Sequence, residues 1–166
     1  KKVGGDTKKI SIKKTFTGFT LTIVDRNGER VIYPNPGANN ELQHKDVDID
    51  YLNRAEIVHI TSFVGNTQFN IQKEIVKELK CTISFSPGNI YVRKGFSELL
   101  PIFKKSKIVF LNMMEVKMLF KEIEKVKKII KSEHQIVVVT AGKKGAFAFT
   151  SSNRFFVPAF GGQVLD

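Results

Sequence analysis

The stretch QIVVVTAGKKGAFAFT, residues 135–150, sets a continuous apolar run against a short glycine-bearing loop and a second, alternating run. Ile136 to Val139 offer no polar face, so a strand made of them has to be covered on both sides, as in a parallel sheet packed between helices. The loop between the runs, TAGKKG at residues 140–145, looks superficially like a phosphate-binding glycine loop. A Walker A loop, however, needs Lys followed by Ser or Thr and a helix behind it, whereas Gly145 leads directly into AFAFT. Two readings of the loop stand on spacing alone: a hairpin turn carrying exposed lysines, or a site for an anion.

Outward from this stretch the same grammar repeats. EIVHITSF (56–63), CTISF (81–85) and KIVFL (107–111) read as strands, and NTQFNIQKEIVKEL (66–79) and GFSELLPIFKK (95–105) as helices between them. The first helix sets Ile71, Ile75 and Leu79 on one face. A long helical segment, about residues 113–132, leads to the strand at 135–140, and AFAFT and RFFVPAF are two further short strands. Strand and helix alternate, which predicts an α/β architecture with a parallel sheet covered by helices on each side. Ahead of it, Phe19, Leu21 and Ile23 alternate with Thr20 and Thr22, the chain turns at DRNGER, and Val31 to Tyr33 resume, which predicts a β-hairpin with one apolar and one Thr-rich face. PNPGANNEL then breaks the second strand.

Composition bounds the rest. A chain of 166 residues that is 42% apolar fills one domain, and its apolar runs are far shorter than the roughly 20 residues that span a bilayer. With no series resembling a signal peptide, the chain reads as cytoplasmic, and its single Cys81 reads as a buried, inert thiol. The net charge of +11 raises nucleic-acid binding, but only five of the 27 basic residues are Arg, and the lysines are spread along the chain and interleaved with Glu in EVKMLFKEIEKVKKIIKSE. That pattern is a solvated helix face, and nucleic acid is the minor reading.

In open parallel sheets ligands collect beyond the carboxyl ends of the strands. The four exits here are TSFVGN, SPGN, NMME and TAGKKG, all polar, small or glycine-bearing, and together they would form a cleft. In NMME, Asn112 and Glu115 stand three apart at a strand-to-helix junction, the spacing of a capping box. His44, His59 and His134 lack the spacing of a metal site; His59 reads as a core residue, and Met113, Met114 and Met118 as core contacts of their helix.

In order and spacing these pieces resemble the ribokinase-like sugar kinases, the phosphofructokinase B family. TGFTLTIVDRNGERVIYPNPGANNEL (17–42) looks like that family's lid hairpin and the Pro-Gly-Ala-Asn segment after it. FLNMMEV (110–116) resembles its Asn-x-x-Glu motif, and VVVTAGKKGAFAF (137–149) its Thr-x-Gly-x-x-Gly nucleotide loop. The resemblance implies a three-layer α/β sandwich with a parallel central sheet and a β-hairpin lid, divided into a lid and start of core (1–40) and a nucleotide-binding core (41–166). It implies phosphoryl transfer from ATP or another nucleotide to a sugar or nucleoside hydroxyl; a non-catalytic relative that binds nucleotide or a partner is the alternative.

The same resemblance assigns roles. Thr140, Gly142 and Gly145 would line the nucleotide, with Lys143 or Lys144 near its phosphates, and Asn112 and Glu115 would hold Mg2+-bound phosphates, largely through water. VPAFGGQVLD (157–166) resembles the segment that runs into Asp-Thr-Thr-Gly-Ala-Gly-Asp, so Asp166 matches the first residue of that motif, a position that helps bind a monovalent cation such as K+ in some members. The catalytic base is expected just beyond Asp166, so no catalytic residue is assigned within these residues and the chain alone is expected to be inactive. Ser62 and Phe63 stand where ribokinases place a ribose-binding Glu, and Ser86 and Pro87 where relatives have Asp-Pro; these substitutions leave a nucleoside, another pentose or a hexose derivative as compatible acceptors. Ribokinase lids also pack in pairs, which implies a homodimer through residues 16–34 or so.

Overall fold

The structure, a computed structural model, describes residues 6–26 and 30–161. Two strands, β1 (Phe19–Val24) and β2 (Arg30–Asn35), form a separate antiparallel hairpin in which Leu21 faces Tyr33 and Ile23 faces Val31. Phe19, Leu21, Ile23, Val31 and Tyr33 therefore share one face, as the alternation predicts, and each stays more than half exposed. The strand runs one proline further than expected, since Pro34 pairs with Thr20 and only Pro36 ends the ladder. A two-stranded ribbon has an outer edge on each strand, where a missing N–H costs nothing.

The core is a six-stranded sheet in the order β3 (Ile57–Thr61), β4 (Thr82–Ser86), β5 (Ile108–Asn112), β6 (Ile136–Thr140), β7 (Gly145–Phe149), β8 (Arg154–Pro158). The first four are parallel; β7 and β8 fold back antiparallel, so the sheet is mixed. After a short helix α1 (Ile49–Asn53), the crossovers carry α2 (Asn66–Glu78), then α3 (Gly88–Val92) and α4 (Phe96–Lys105), then α5 (Met113–Phe120). Right-handed crossovers that all step in one direction put these helices on one face of the sheet. Their contacts agree: Phe85 of β4 meets Phe103 of α4 edge-on at 5.7 Å, and Phe96 of α4 meets Phe120 of α5 at 5.3 Å.

Beneath those helices lie Ile60, Ile83, Phe85, Val109, Leu111, Val137 and Val139, all buried, while the alternate residues Ile108, Phe110, Ile136 and Val138 are half-buried. The fully buried aliphatic side chains each contribute about 1.5–3 kcal/mol of burial free energy. A polar chain threads the same layer. Tyr91 donates its hydroxyl to Gln72 Oε1 at 2.7 Å, and Gln72 Nε2 donates to the Thr61 carbonyl at 2.9 Å, tying α3 and α2 to the carboxyl end of β3. Burial pushes the Tyr91 hydroxyl up to about 12.

Four expectations are corrected. The long helix ends at Phe120, because Lys121 adopts φ 66°, and a separate 3-10 segment, Ile123–Lys128, follows. His59 lies exposed on the edge strand β3, bonded to Ser84 Oγ at 2.8 Å, since β3 has a neighbour on one side only. Met114 and Met118 are exposed, and only Met113 packs on the core. Cys81 is half-buried, sitting in the turn before β4. No helix among the described residues is long and apolar enough to cross a membrane.

Candidate functional site

Parallel pairing brings the two polar motifs together. Asn112, the last residue of β5, is the register partner of Thr140, the last residue of β6. The 27 residues between them keep them far apart in sequence; the ladder brings them together because each strand ends at the same height. Thr140 Oγ1 donates to the Leu111 carbonyl at 3.5 Å. Its side chain is thus held across to the neighbouring strand.

Beyond Thr140 the chain makes a tight 3-10 turn, Gly142–Lys144, and enters β7. Ala141 N donates to the Gly145 carbonyl at 2.8 Å, closing the turn. Gly142 has φ 55° and Gly145 φ 123°, conformations that strain an L side chain. A Cβ on Gly145 would also lie 2.1 Å from the Val157 carbonyl of β8, so this glycine admits close approach of the edge strand. The loop is therefore a hairpin connection and also a presenter of two lysines.

At the other strand end, Asn112 caps α5: its Oδ1 accepts from Glu115 N at 2.9 Å, and Glu115 Oε2 accepts from Asn112 N at 2.9 Å. The capping box read from the spacing is present. Glu115 is only 5% exposed, and burial pushes its carboxyl above the ordinary range, opposed by the bond from the Asn112 N–H. Among the described residues no group of three or more His, Cys, Asp or Glu side chains is placed to cage a metal. One carboxylate beside a cleft suits a magnesium ion that keeps its waters and is held mainly by phosphates, rather than an all-protein cage.

Above these strand ends lies a cavity of about 860 Å³, lined among others by Asn112, Met113, Thr140, Gly142 and Lys144. Lys143 and Gly145 shape the loop without lining it, and Glu115 sits behind Asn112. Asn89, which closes the SPGN exit, also lines it, while sequence reading missed Arg30, Lys117, Phe147 and Arg154. Lys117 was findable, standing four residues after Met113 and hence on the same helical face. Arg30 comes from the hairpin, and Arg154 lies 4.6 Å over the Phe147 ring while pairing with Glu124 at 2.5 Å; both depend on tertiary placement. Four basic and no acidic side chains line this cavity, an electropositive setting for an anion.

Ser62 and Phe63 line a second cavity of about 350 Å³, roofed by Phe19, Thr20, Pro34 and Asn35 of the hairpin. The two cavities adjoin: consecutive residues of α3, Asn89 and Ile90, line one each, and the hairpin contributes to both. Gly88, with φ 60°, lets α3 start 3.0 Å from Ser62 Oγ, measured to the Cβ it lacks. Asp166 lies outside the described residues.

Known proteins fit this arrangement. The family profile described as pfkB family carbohydrate kinase matches residues 1–166. An uncharacterised sugar kinase of Archaeoglobus fulgidus is 30% identical over 155 residues, covering 90% of this chain and 62% of that protein. An ATP-dependent ribose-1-phosphate kinase of Halopiger xanaduensis is 27% identical over 151 residues, covering 90% of this chain and 49% of that one. The crystal structure of ribokinase from Thermotoga maritima superposes with a TM-score of 0.70 at 24% identity, over 92% of this chain and 51% of that chain, a likeness of fold. The chain thus spans about half to three-fifths of the length of these relatives.

Proposed function

The chain belongs to the pfkB family of carbohydrate kinases, and from that premise we propose that the whole protein transfers a phosphoryl group from ATP or another nucleotide to a hydroxyl of a sugar or nucleoside. The observation that carries the reading is the pair of adjoining cavities, one electropositive above Asn112 and Thr140, the other walled by Ser62, Phe63 and the hairpin. Two reactants have to be held side by side, and the protein's work in such a transfer is positioning and charge stabilisation.

In this reading the donor's phosphates lie over the Thr140–Gly142 backbone with Lys144 and Lys117 beside them, and Lys143 adds its charge from the loop outside the cavity wall. Asn112 and Glu115 would hold a hydrated Mg2+, which would supply neutralisation of the charge spreading over the transferring group. The acceptor occupies the smaller cavity, its hydroxyl oxygen aimed at the terminal phosphorus. As the new P–O bond forms, the bond to the bridging oxygen breaks and the hydroxyl proton passes to a base outside the described residues. The hairpin covers both reactants, and its open apolar face, Phe19, Leu21, Ile23, Val31 and Tyr33, packs on a second copy. Location in the cytoplasm, K+ at Asp166 and the split at residue 40 or so belong to the same reading.

The test is a screen of sugars, sugar phosphates and nucleosides against the whole protein, following nucleotide consumption with and without Mg2+. Acceptor-dependent, Mg2+-dependent consumption supports the proposal. Tight nucleotide binding with no acceptor in a broad panel would favour the non-catalytic alternative.

A further inference from the structure

The lysines that look dispersed along the sequence are gathered by the fold at the edge of the sheet opposite the cleft. Lys80 precedes β4, Lys104 and Lys105 end α4, Lys107 precedes β5, and Lys127, Lys128 and Lys131 precede β6. Parallel strands start on one edge, so all seven lie there. The edge is fixed by hydrogen bonds: Lys107 N donates to the Ile83 carbonyl at 2.8 Å, and Ile136 N to the Lys107 carbonyl at 2.9 Å. Buried Gln135 clamps it further, its Nε2 donating to the Phe103 and Ser106 carbonyls at 2.6 and 2.7 Å while its Oε1 accepts from Lys131 N at 2.8 Å.

These seven side chains belong to exposed residues, and the ion pairs of the described residues engage other lysines, namely Lys9, Lys13, Lys73, Lys77 and Lys125. The acidic groups nearby are engaged by other partners: Glu133 leans on His134, Glu78 bonds His44, Glu122 pairs with Lys125 and Glu124 with Arg154, and Glu56 stands before β3. We propose that this edge is a docking surface for the phosphate backbone of duplex nucleic acid, bound without sequence preference. Lysine ammoniums act as point charges on phosphates and lack the fork that reads base edges. Of the exposed large apolar residues, Ile57 at the start of β3 and Phe155 at the start of β8 flank the row, and the seven lysines lie between them, so the basic stretch itself carries neither a run of aromatic platforms for single strands nor a cluster to sink into a bilayer. Because it lies across the sheet from the cleft, binding here leaves both cavities open.

The test is fluorescence anisotropy of a short labelled duplex DNA of mixed sequence, titrated with the full chain at rising salt. Engagement of about four phosphates predicts an affinity that falls roughly a hundredfold between about 50 and about 200 mM salt. Replacing Lys104, Lys105, Lys107 and Lys131 together with Ala should weaken low-salt binding by more than about tenfold and flatten the salt slope, while Lys143→Ala with Lys144→Ala leaves both unchanged. Circular dichroism checks that the variants fold, and the milder Lys→Gln set serves if they do not. Wild-type affinity in the edge variant, loss of binding in the loop variant, or binding to phosphatidylserine vesicles with none to duplex would each overturn the proposal.

Discussion

Replacing Glu115 with Gln separates its two roles. As half of the capping box, Glu115 accepts one hydrogen bond from Asn112 N at 2.9 Å in a nearly closed environment. The Gln amide oxygen can accept the same bond, at a loss of about 1 kcal/mol because the acceptor is no longer charged. Removal of a buried charge offsets this, since burial already holds the carboxyl above its ordinary range. The sign follows: a raised folded pKa favours the protonated carboxyl, so the folded state gains from that acid at low pH and loses the gain as pH rises through the folded value. Urea unfolding at neutral pH should therefore place Glu115→Gln within about 1 kcal/mol of wild type, and relatively better placed there than in acid. Turnover of the whole protein should behave differently. Loss of one negative charge beside Mg2+-bound phosphates should lower it on the order of a hundredfold, about 2.7 kcal/mol, and raise the Mg2+ concentration needed for half-maximal rate. The assay is nucleotide consumption over a Mg2+ titration. Unchanged turnover at every Mg2+ concentration, with stability also unchanged, would refute the metal role and leave the capping box alone.

Other outcomes follow from the same geometry. Gly145→Ala should destabilise by about 3 kcal/mol or more, through a positive φ and a Cβ driven against the Val157 carbonyl; equilibrium unfolding reads it. Arg30→Ala should lower turnover of the whole protein about tenfold or more without moving the unfolding midpoint, because Arg30 reaches the large cavity from an otherwise exposed hairpin. The hairpin's apolar face predicts a dimer by light scattering, and Leu21→Asp with Tyr33→Asp should give monomer; a wild-type monomer at all concentrations rules the packing out.

Much of the fold was legible because its signals are local. The continuous apolar runs, the alternation in the hairpin and the three-residue spacing of Asn112 and Glu115 each act within a few residues, and each is found where the chain places it. The break at Lys121 was not legible, since a left-handed lysine leaves no compositional mark in a segment whose periodicity continues past it. His59 misled because an apolar run reads the same in a central strand and at an edge. For the site, the strand exits named Asn89, Asn112 and Thr140, but the neighbouring of the last two in register, and the arrival of Arg30, Phe147 and Arg154, are products of tertiary pairing. The lysine edge is the same lesson in charge: spacing along the chain says little about which strand starts share an edge.

Amide chemical shifts of the isotope-labelled chain, recorded while MgATP is added, test most directly whether the cleft above β5 and β6 receives the donor. At 18.8 kDa the chain suits such spectra. The largest shifts are predicted at Asn112 to Lys117 and Thr140 to Phe147, with little change at Thr61 to Val64 beside the smaller cavity until an acceptor is added. Shifts centred on the smaller cavity, or none around Thr140 and Asn112 at saturating nucleotide, would contradict the assignment of the two cavities.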